Sequence, residues 1–392
     1  MSQCALPLAV IRVFILIPLL AVSTMACSVS VDAAPRGAAA EVSTWAGFEN
    51  TQRGAAGPGQ FDPPPRPNRD NDIEFERISL AEGLSQSVVM CILQDSSGFM
   101  WFCTQDGLNR YDGYEFKVYE HVEGDSNTLS DSFVQAMDEG EGGALWLGTN
   151  NGGLNRLDLE TGRITQYRND PDDPHSLSNN GVLDVLEDER GVVWVATSGG
   201  GLNQLDPDTG DFVRHQNDPS DPHSLANDVV WSLCQGQEGT LWVGTGGGLD
   251  RLDRETGHFT HYQNDPEDPH TLSAGVVQAV YEDRSGTLWV GTNGGGLNRF
   301  DRATGRFDHY PHDPANPRSL SDDIVLSIYE DDAGGLWIGT ANGGLNKLDR
   351  ETGQFVHYRH DPRDAFSLSN DQVLSIYQDG SAVLWVGTFG GG

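Results

Sequence analysis

Three sets of residues in this chain have types and spacings that could do chemistry. Gly294-Gly295-Gly296, inside LWVGTNGGGLNRFD (288–301), has the composition of a loop whose backbone N–H groups cradle a phosphate. The Asp-Pro segments NDPDDPHSLSNN (169–180) and NDPEDPHTLSAG (264–275) are dense in carboxylates, and His175, His223 and His270 recur at one position in such segments. Carboxylates and imidazoles together suggest a metal. Trp231 stands out in an otherwise aliphatic and amide column, and an indole can stack on a sugar or another flat ligand.

Local context weighs against the first two. A phosphate loop needs a helix after it, with its N-terminus facing the anion, and here the strand-like LNRFD follows. The glycines therefore read as turn residues that supply positive φ. The Asp-Pro segments lack the Asp/Asn-x-Asp/Asn-Gly spacing of a calcium loop. Their aspartates and prolines read as turn caps and stiffeners, and the histidines as turn residues in separate units. No metal site or cofactor is expected.

The elements that must position these residues come from a repeat. Near-copies of the opening string begin at Phe99, Ala144, Val192, Thr240 and Gly335, and LWVGTFGGG ends the chain. The repeating tryptophans are Trp101, Trp146, Trp194, Trp242, Trp289, Trp337 and Trp385. Their separations are 45, 48, 48, 47, 48 and 48 residues, a period composition cannot produce. Within one unit, VVQAVYED (276–283), LWVGT (288–292), LNRFD (297–301) and FDHY (307–310) read as four short strands separated by Gly-, Asp- and Asn-rich turns. No helix-period segment is read in 71–392. Four strands in about 40–50 residues are the signature of a propeller blade. The expected fold is all-β, a seven-bladed propeller of four-stranded antiparallel blades over 71–392. The recurring tryptophans pack between blades. FERIS (75–79) is expected as an outer strand completing the seventh blade, whose first two strands are 373–379 and 384–388. That blade is expected to lack its third strand, and the chain to be a truncated piece of a longer protein.

Residues 1–34 read as a signal peptide or N-terminal anchor, with Arg12 before the apolar VFILIPLLAV (13–22). Residues 35–70 read as a Pro/Gly/Ala-rich linker. An exported chain is implied, on the periplasmic side of a bacterial inner membrane or anchored to it. Formal charge is −34, and residues 1–70 balance five basic against five acidic groups, so the excess lies in 71–392. Such a surface repels nucleic acid and anionic headgroups and tolerates cations, sugars or metal ions. Of the five cysteines, Cys91 and Cys103 fall on neighbouring strands and are expected as buried free thiols rather than a bridge.

The string FERISLAEGLSQSVVMCILQDSSGFMWFCTQDGLNRYDGYEFKVYEH, with the recurring EDxxGxLWVGT…GGLNRLDxxTGxFxxYxxDPxDPxSLS, resembles the two-component regulator propeller repeat over 74–392. In that family such repeats form the extracytoplasmic input domain of membrane sensors. The resemblance implies a histidine kinase or diguanylate cyclase output elsewhere in the parent protein, a glycan or other small ligand, and a homodimer through the sensor. EDRSGTLW also resembles the Asp-box turn of sialidases, with spacing different by one residue.

Scaffolding should repeat, whereas a ligand surface need not. The candidate binding positions are those that vary on the glycine-loop face around the axis: Gln105, Asp106, Asn150, Asn151, Ser198, Asn293, Asn342 and Phe389. Gln135, Trp231 and Gln278 join them from the inner-strand column, which also holds Met90, Leu183, Leu326 and Leu374. The loop joining each outer strand to the next inner strand, which holds the Asp-Pro segments, is expected on that same face. No catalytic residue is assigned. The alternatives are a stand-alone exported scaffold and a propeller glycan hydrolase or lyase.

Overall fold

A computed structural model describes residues 10–15, 73–206 and 208–390. The chain divides into two units, Met1–Ile17 with Ile73–Gly392, and Pro18–Asp72. All described residues belong to the first. The linker, and all of the targeting segment except six residues, lie outside the described residues.

The fifth repeat folds almost strand for strand as its punctuation indicates: Val277–Glu282, Leu288–Thr292, Leu297–Asp301 and Arg306–Tyr310. Of the three turns between them, the first and last use Gly286 (φ 82°) and Gly305 (φ 71°), conformations that cost an L-residue with a Cβ. Six such sheets, over 89–119, 134–167, 182–215, 230–262, 277–310 and 325–358, are antiparallel with strands in chain order. The second strand of each sheet is buried along its whole length, as in Leu241–Thr245 and Leu336–Thr340. That is why LWVGT reads as a continuous apolar run rather than an alternating one: a blade neighbours it on both faces. The described helices are two single 3-10 turns, Leu80–Glu82 and Gln237–Gly239.

The seventh sheet differs. Its order is Glu74–Ser79, Val10–Ile15, Leu384–Thr388 and Val373–Gln378. The outer position of FERIS is as expected. The empty third-strand position is not: Val10–Ile15 occupies it, parallel to both neighbours. The free N–H and C=O groups along Leu384–Thr388 need a partner strand, and VIRVFI is apolar and rich in β-formers.

First strands of successive sheets abut one another around a closed cycle, with Val373–Gln378 against Val89–Gln94. A cycle of side-chain hydrogen bonds accompanies it. The Glu or Gln late in each first strand accepts the N–H of a turn residue in the preceding sheet. The pairs run Ser96–Glu139, Glu141–Glu187, Glu189–Gln235, Gln237–Glu282, Arg284–Glu330, Asp332–Gln378 and, closing the ring, Gly380–Gln94, all at 2.6–2.9 Å. These bonds tie each turn to the next first strand.

The repeating tryptophans wedge between blades, all at 0–3% exposure. Trp146 packs on Val182, Val185 and Val193 of the following blade. Truncating such a residue to Ala typically costs about 3–5 kcal/mol. A buried indole also needs an acceptor for its N–H. In five blades that acceptor is an aspartate six residues earlier: Asp95, Asp188, Asp283, Asp331 and Asp379, at 2.7–2.8 Å. Gly140 stands at that position in the second blade, and Glu187 of the third reaches across to Trp146 at 2.6 Å. Gly236 stands there in the fourth, and the Trp242 N–H is buried without a partner.

Cys91 and Cys103 form a disulfide, not two free thiols. They sit directly opposite each other on adjacent antiparallel strands, with Cα atoms 5.0 Å apart. That separation lies within the range a disulfide spans.

Candidate functional site

The glycine loops and the Ser-Leu-Ser segments surround one end of the ring of first strands. The loops are built by a repeated buried lock. The threonine that ends each second strand donates to a loop glycine carbonyl, as Thr292 does to Gly296 at 3.0 Å. An asparagine on the third strand accepts the N–H of the Ser-Leu-Ser serine, as Asn298 does from Ser273 at 3.0 Å. Such polar residues are fully buried because every one has a partner.

The phosphate reading of Gly294-Gly295-Gly296 fails on its own donors. The N–H groups of Gly294 and Gly296 both donate to the Asp323 carbonyl, at 3.0 and 2.8 Å, and that of Gly295 donates to Thr292 Oγ1 at 3.2 Å. Nothing is left to cradle an anion. A Cβ on Gly295 would lie 2.4 Å from Ser273 Oγ, and one on Gly296 2.6 Å from the Tyr310 carbonyl. The glycines serve close packing.

The variable loop positions are joined partly to the next blade and partly within their own. Ser198, Asn293 and Phe389 form isolated bridges to Val229, Ile324 and Val88. Gln135 Nε2 donates to Asn150 Oδ1 at 2.7 Å, and Asn342 Nδ2 to Asp322 Oδ2 at 2.9 Å. The Asn151 N–H donates to Asp131 at 3.0 Å, the Asp106 N–H to Thr104 Oγ1 at 3.2 Å, and Gln86 Nε2 to Gln105 Oε1 at 3.5 Å. Gln278 Oε1 is buried without a partner. Trp231 and Phe389 are 37% and 46% exposed, against complete or near-complete burial of the repeating tryptophans. The structure thus distributes the predicted positions over the sheets around one opening. Two surface cavities, of about 310 and 620 Å³, lie elsewhere, lined by residues such as His312 and His357, and Arg299 and Arg306.

The Asp-Pro segments are placed differently from expectation. Each descends from the glycine-loop face to the far end of the next outer strand. The carbonyls of His175, His223 and His270 accept the N–H groups of Phe212, Phe259 and Phe307, at or next to the start of those strands. The exposed edge of an outer strand needs such cover, and only the Ser-Leu-Ser part returns to the opening. His223 stacks on His258, ring centres 4.7 Å apart. No group of three or more potential metal ligands occurs among the described residues.

Sequence reading missed a set of carboxylates close to the axis. Asp138 accepts the Glu187 N–H at 2.7 Å, and Asp184 accepts the Leu233 N–H at 2.8 Å. Both clasp the free inner edge of the next blade. Ser232 does the same for Val280 at 3.1 Å. Burial pushes the Asp138 carboxyl up to about 6 and that of Asp184 to about 7. The signal was present as two acids at inner-strand positions that hold Ala, Ser, Cys, Leu or Tyr in other repeats. The seven first strands, the glycine loops and the Ser-Leu-Ser segments carry no Lys, Arg or His. Asp106, Asp131, Asp228, Asp322, Asp323 and Asp371 lie in those loops. These segments are therefore acidic and carry two exposed aromatic rings, while Arg168 and Arg359, just beyond outer strands, donate to the Ser130 and Gly343 carbonyls at 3.2 Å each.

The family model described as two component regulator propeller matches residues 83–106, 176–199, 224–247, 271–294 and 319–342. Each match runs from a Ser-Leu-Ser segment or its equivalent through the first two strands to the glycine loop. The extracellular domain of a putative hybrid two-component system from B. thetaiotaomicron is 29% identical, with a TM-score of 0.70, over 81% of this chain and 41% of that one. The extracellular domain of a putative one-component system from the same organism is 25% identical, with a TM-score of 0.63, over 79% of this chain and 38% of that one. A histidine kinase of Formosa agariphila is 40% identical over 62 residues, 16% of this chain and 4% of the kinase. The chain thus spans 41% or less of the length of each of these relatives. Within an all-β ring of four-stranded blades, the chain thus carries five two-component regulator propeller repeats.

Proposed function

We propose that this chain is the extracytoplasmic, ligand-sensing input propeller of a two-component signal-transduction protein, its seven sheets acting as one ring and its output carried elsewhere in the parent. The observation that supports this most is the 29% identity, at a TM-score of 0.70, to the extracellular domain of a putative hybrid two-component system. The Cys91–Cys103 disulfide fits export, because such bonds persist in oxidising compartments. The ligand binds at the axial opening, where residues vary between repeats and Trp231 offers an exposed ring. With no basic residue in the strands and loops that line it and a strongly negative chain, the ligand is neutral or cationic, such as an uncharged glycan or an amine-bearing small molecule. This chain performs no catalysis, and signalling proceeds through a homodimer.

A thermal-shift screen of neutral, cationic and anionic glycans against the purified chain tests the reading. A neutral or amine-bearing ligand should raise the melting midpoint, and Trp231→Ala should weaken its binding at least tenfold while leaving the unliganded midpoint unchanged. Equal binding by Trp231→Ala would remove the opening as the site. Turnover of a glycan at enzyme-like rates would overturn the sensor reading.

A further inference from the structure

The fourth blade breaks the third-strand lock at two positions together. Elsewhere an asparagine (Asn109, Asn155, Asn203, Asn298, Asn346) faces a serine (Ser85, Ser130, Ser178, Ser273, Ser321), and its Oδ1 accepts the serine N–H. In the fourth blade the pair is Asp250 and Ala226. Asp250 Oδ2 still accepts the Ala226 N–H, at 2.8 Å. With no serine hydroxyl to receive a donor, the residue needs none, and its second oxygen turns to a new partner. That partner is His261, directly opposite on the outer strand, with Nδ1 2.7 Å from Asp250 Oδ1. The other ring nitrogen, Nε2, lies 3.0 Å from the carbonyl of Pro222, on the Asp-Pro segment that descends over this blade.

Both ring nitrogens thus face oxygens, and a carbonyl can only accept. Nε2 must carry a proton to bond Pro222. The 2.7 Å contact between Nδ1 and Oδ1 needs a second proton, on one atom or the other. A histidine and an aspartate apart in water near pH 7.5 hold one proton between them. The folded pair holds two. Asp250 is fully buried, so losing the shared proton would leave a carboxylate against a lone pair in a dry site. The repeat supplies its own controls. His309 and His357 occupy the His261 position, and their Nε2 atoms contact the carbonyls of Thr271 and Ser319, each at 2.7 Å, but each stands opposite an asparagine.

We propose that Asp250 and His261 form a proton-dependent latch that pins the loop around Pro222 to the fourth blade and releases it as pH rises. The opposed carboxylate and the two acceptor oxygens carry the inference, and burial, which raises the Asp250 carboxyl, agrees with it. The other titratable or charged groups on the elements around the pair are Asp218, Asp221 and His223 on the loop, Arg251 on the third strand, Tyr262 on the outer strand and His258 in the turn before it, while the second strand, Leu241–Thr245, contributes none. The sign follows from linkage. Above the ordinary histidine value of about 6.5 the folded state binds one proton that the unfolded chain releases, so the latch stabilises fully at mildly acidic pH and is lost as pH rises through the titration of the pair.

Two measurements on the full chain test the latch. Imidazole ¹H–¹⁵N spectra at pH 7.5 should show His261 protonated on both nitrogens, or bonded to a protonated Asp250 through a shared proton, while His309 and His357 carry one proton each. The double substitution Asp250→Asn with Ala226→Ser restores the pattern of the other blades. It should remove the extra proton and reduce, by about one proton, the pH slope of unfolding above neutrality relative to the unmodified chain. A His261 resonance indistinguishable from that of His309, or equal pH slopes for the two proteins, would overturn the proposal. If the double variant fails to fold, His261→Gln gives the same comparison: it keeps a side-chain donor for the Pro222 carbonyl and should likewise lose the proton-linked slope.

Discussion

At the residue scale, the fold uses polar side chains as fasteners for backbone edges. Asp138, Asp184 and Ser232 clasp N–H groups of the next first strand, and backbone hydrogen bonds from Glu330, Gln378 and Gln94 reach Tyr281, Tyr329 and Tyr377 in the equivalent seams. A hydroxyl does this without a charge. Asp184 does it with a carboxyl whose pKa burial raises to about 7, so its folded form keeps a proton the unfolded chain loses near its ordinary value. Stability from this group is therefore full below about pH 4 and declines as pH rises towards the folded value of about 7. Asp184→Ser copies the arrangement at Ser232 and removes the charge. Melting curves from pH 5 to 8 should show the variant gaining on the wild type as pH rises, by an amount on the order of 2–4 kcal/mol. Parallel curves would mean that Asp184 is solvated. These clasps escape sequence reading because a lone acid in a β-run looks like a solvent-facing position; only the ring of neighbours shows that it is buried.

At the element scale, strands and turns were legible to within a residue or so in the fifth repeat, because glycine, aspartate and asparagine mark each boundary. The tryptophan as a packing wedge was legible too, from its period. Its aspartate partner six residues earlier recurs in five of the seven repeats, but recurrence does not say that two residues touch. The hairpin between them turns Asp283 back onto Trp289, and that closure is a property of the turn. The Cys91–Cys103 pair illustrates the same limit. Neighbouring strands were read correctly, whereas the register that sets the two sulfurs opposite each other depends on a β-bulge between Val89 and Cys91. Cys103→Ser should lower the stability of the oxidised protein by about 2–3 kcal/mol. Denaturant curves with and without reductant would check this, and a wild type insensitive to reductant would count against a stabilising bond.

At the scale of the whole molecule, a ring has to close, and the seam between the seventh and first sheets is where it does. Val88 bridges Phe389, and Gln94 Oε1 accepts the Gly380 N–H at 2.7 Å. The equivalent bond between the third and fourth sheets is Glu189 N–H to Gln235 at 2.9 Å. If the closing seam is as tight as an internal one, Gln94→Leu and Gln235→Leu should each cost about 1 kcal/mol, and chemical denaturation should show similar losses. A silent Gln94→Leu beside a costly Gln235→Leu would mean an open seam. The Asp-Pro segments belong to this scale as well. Their sequence suggested loops at the opening, but outer strands need their edges covered, so the segments run down the outside of the ring instead.

By itself the sequence determined the repeat, the four strands of a blade, the buried tryptophans and the excess of negative charge, because each follows from local pattern or simple counting. Tertiary structure alone decided which polar residues face one another. The spent donors of Gly294-Gly295-Gly296, the disulfide, the strand Val10–Ile15 within the seventh sheet and the meeting of Asp250 with His261 all depend on contacts between segments distant in the chain or on exact strand register. Hydrophobic period specifies which face is buried, but the pairing of hydrogen-bond donors with acceptors is settled only when the backbone has brought them within about 3 Å.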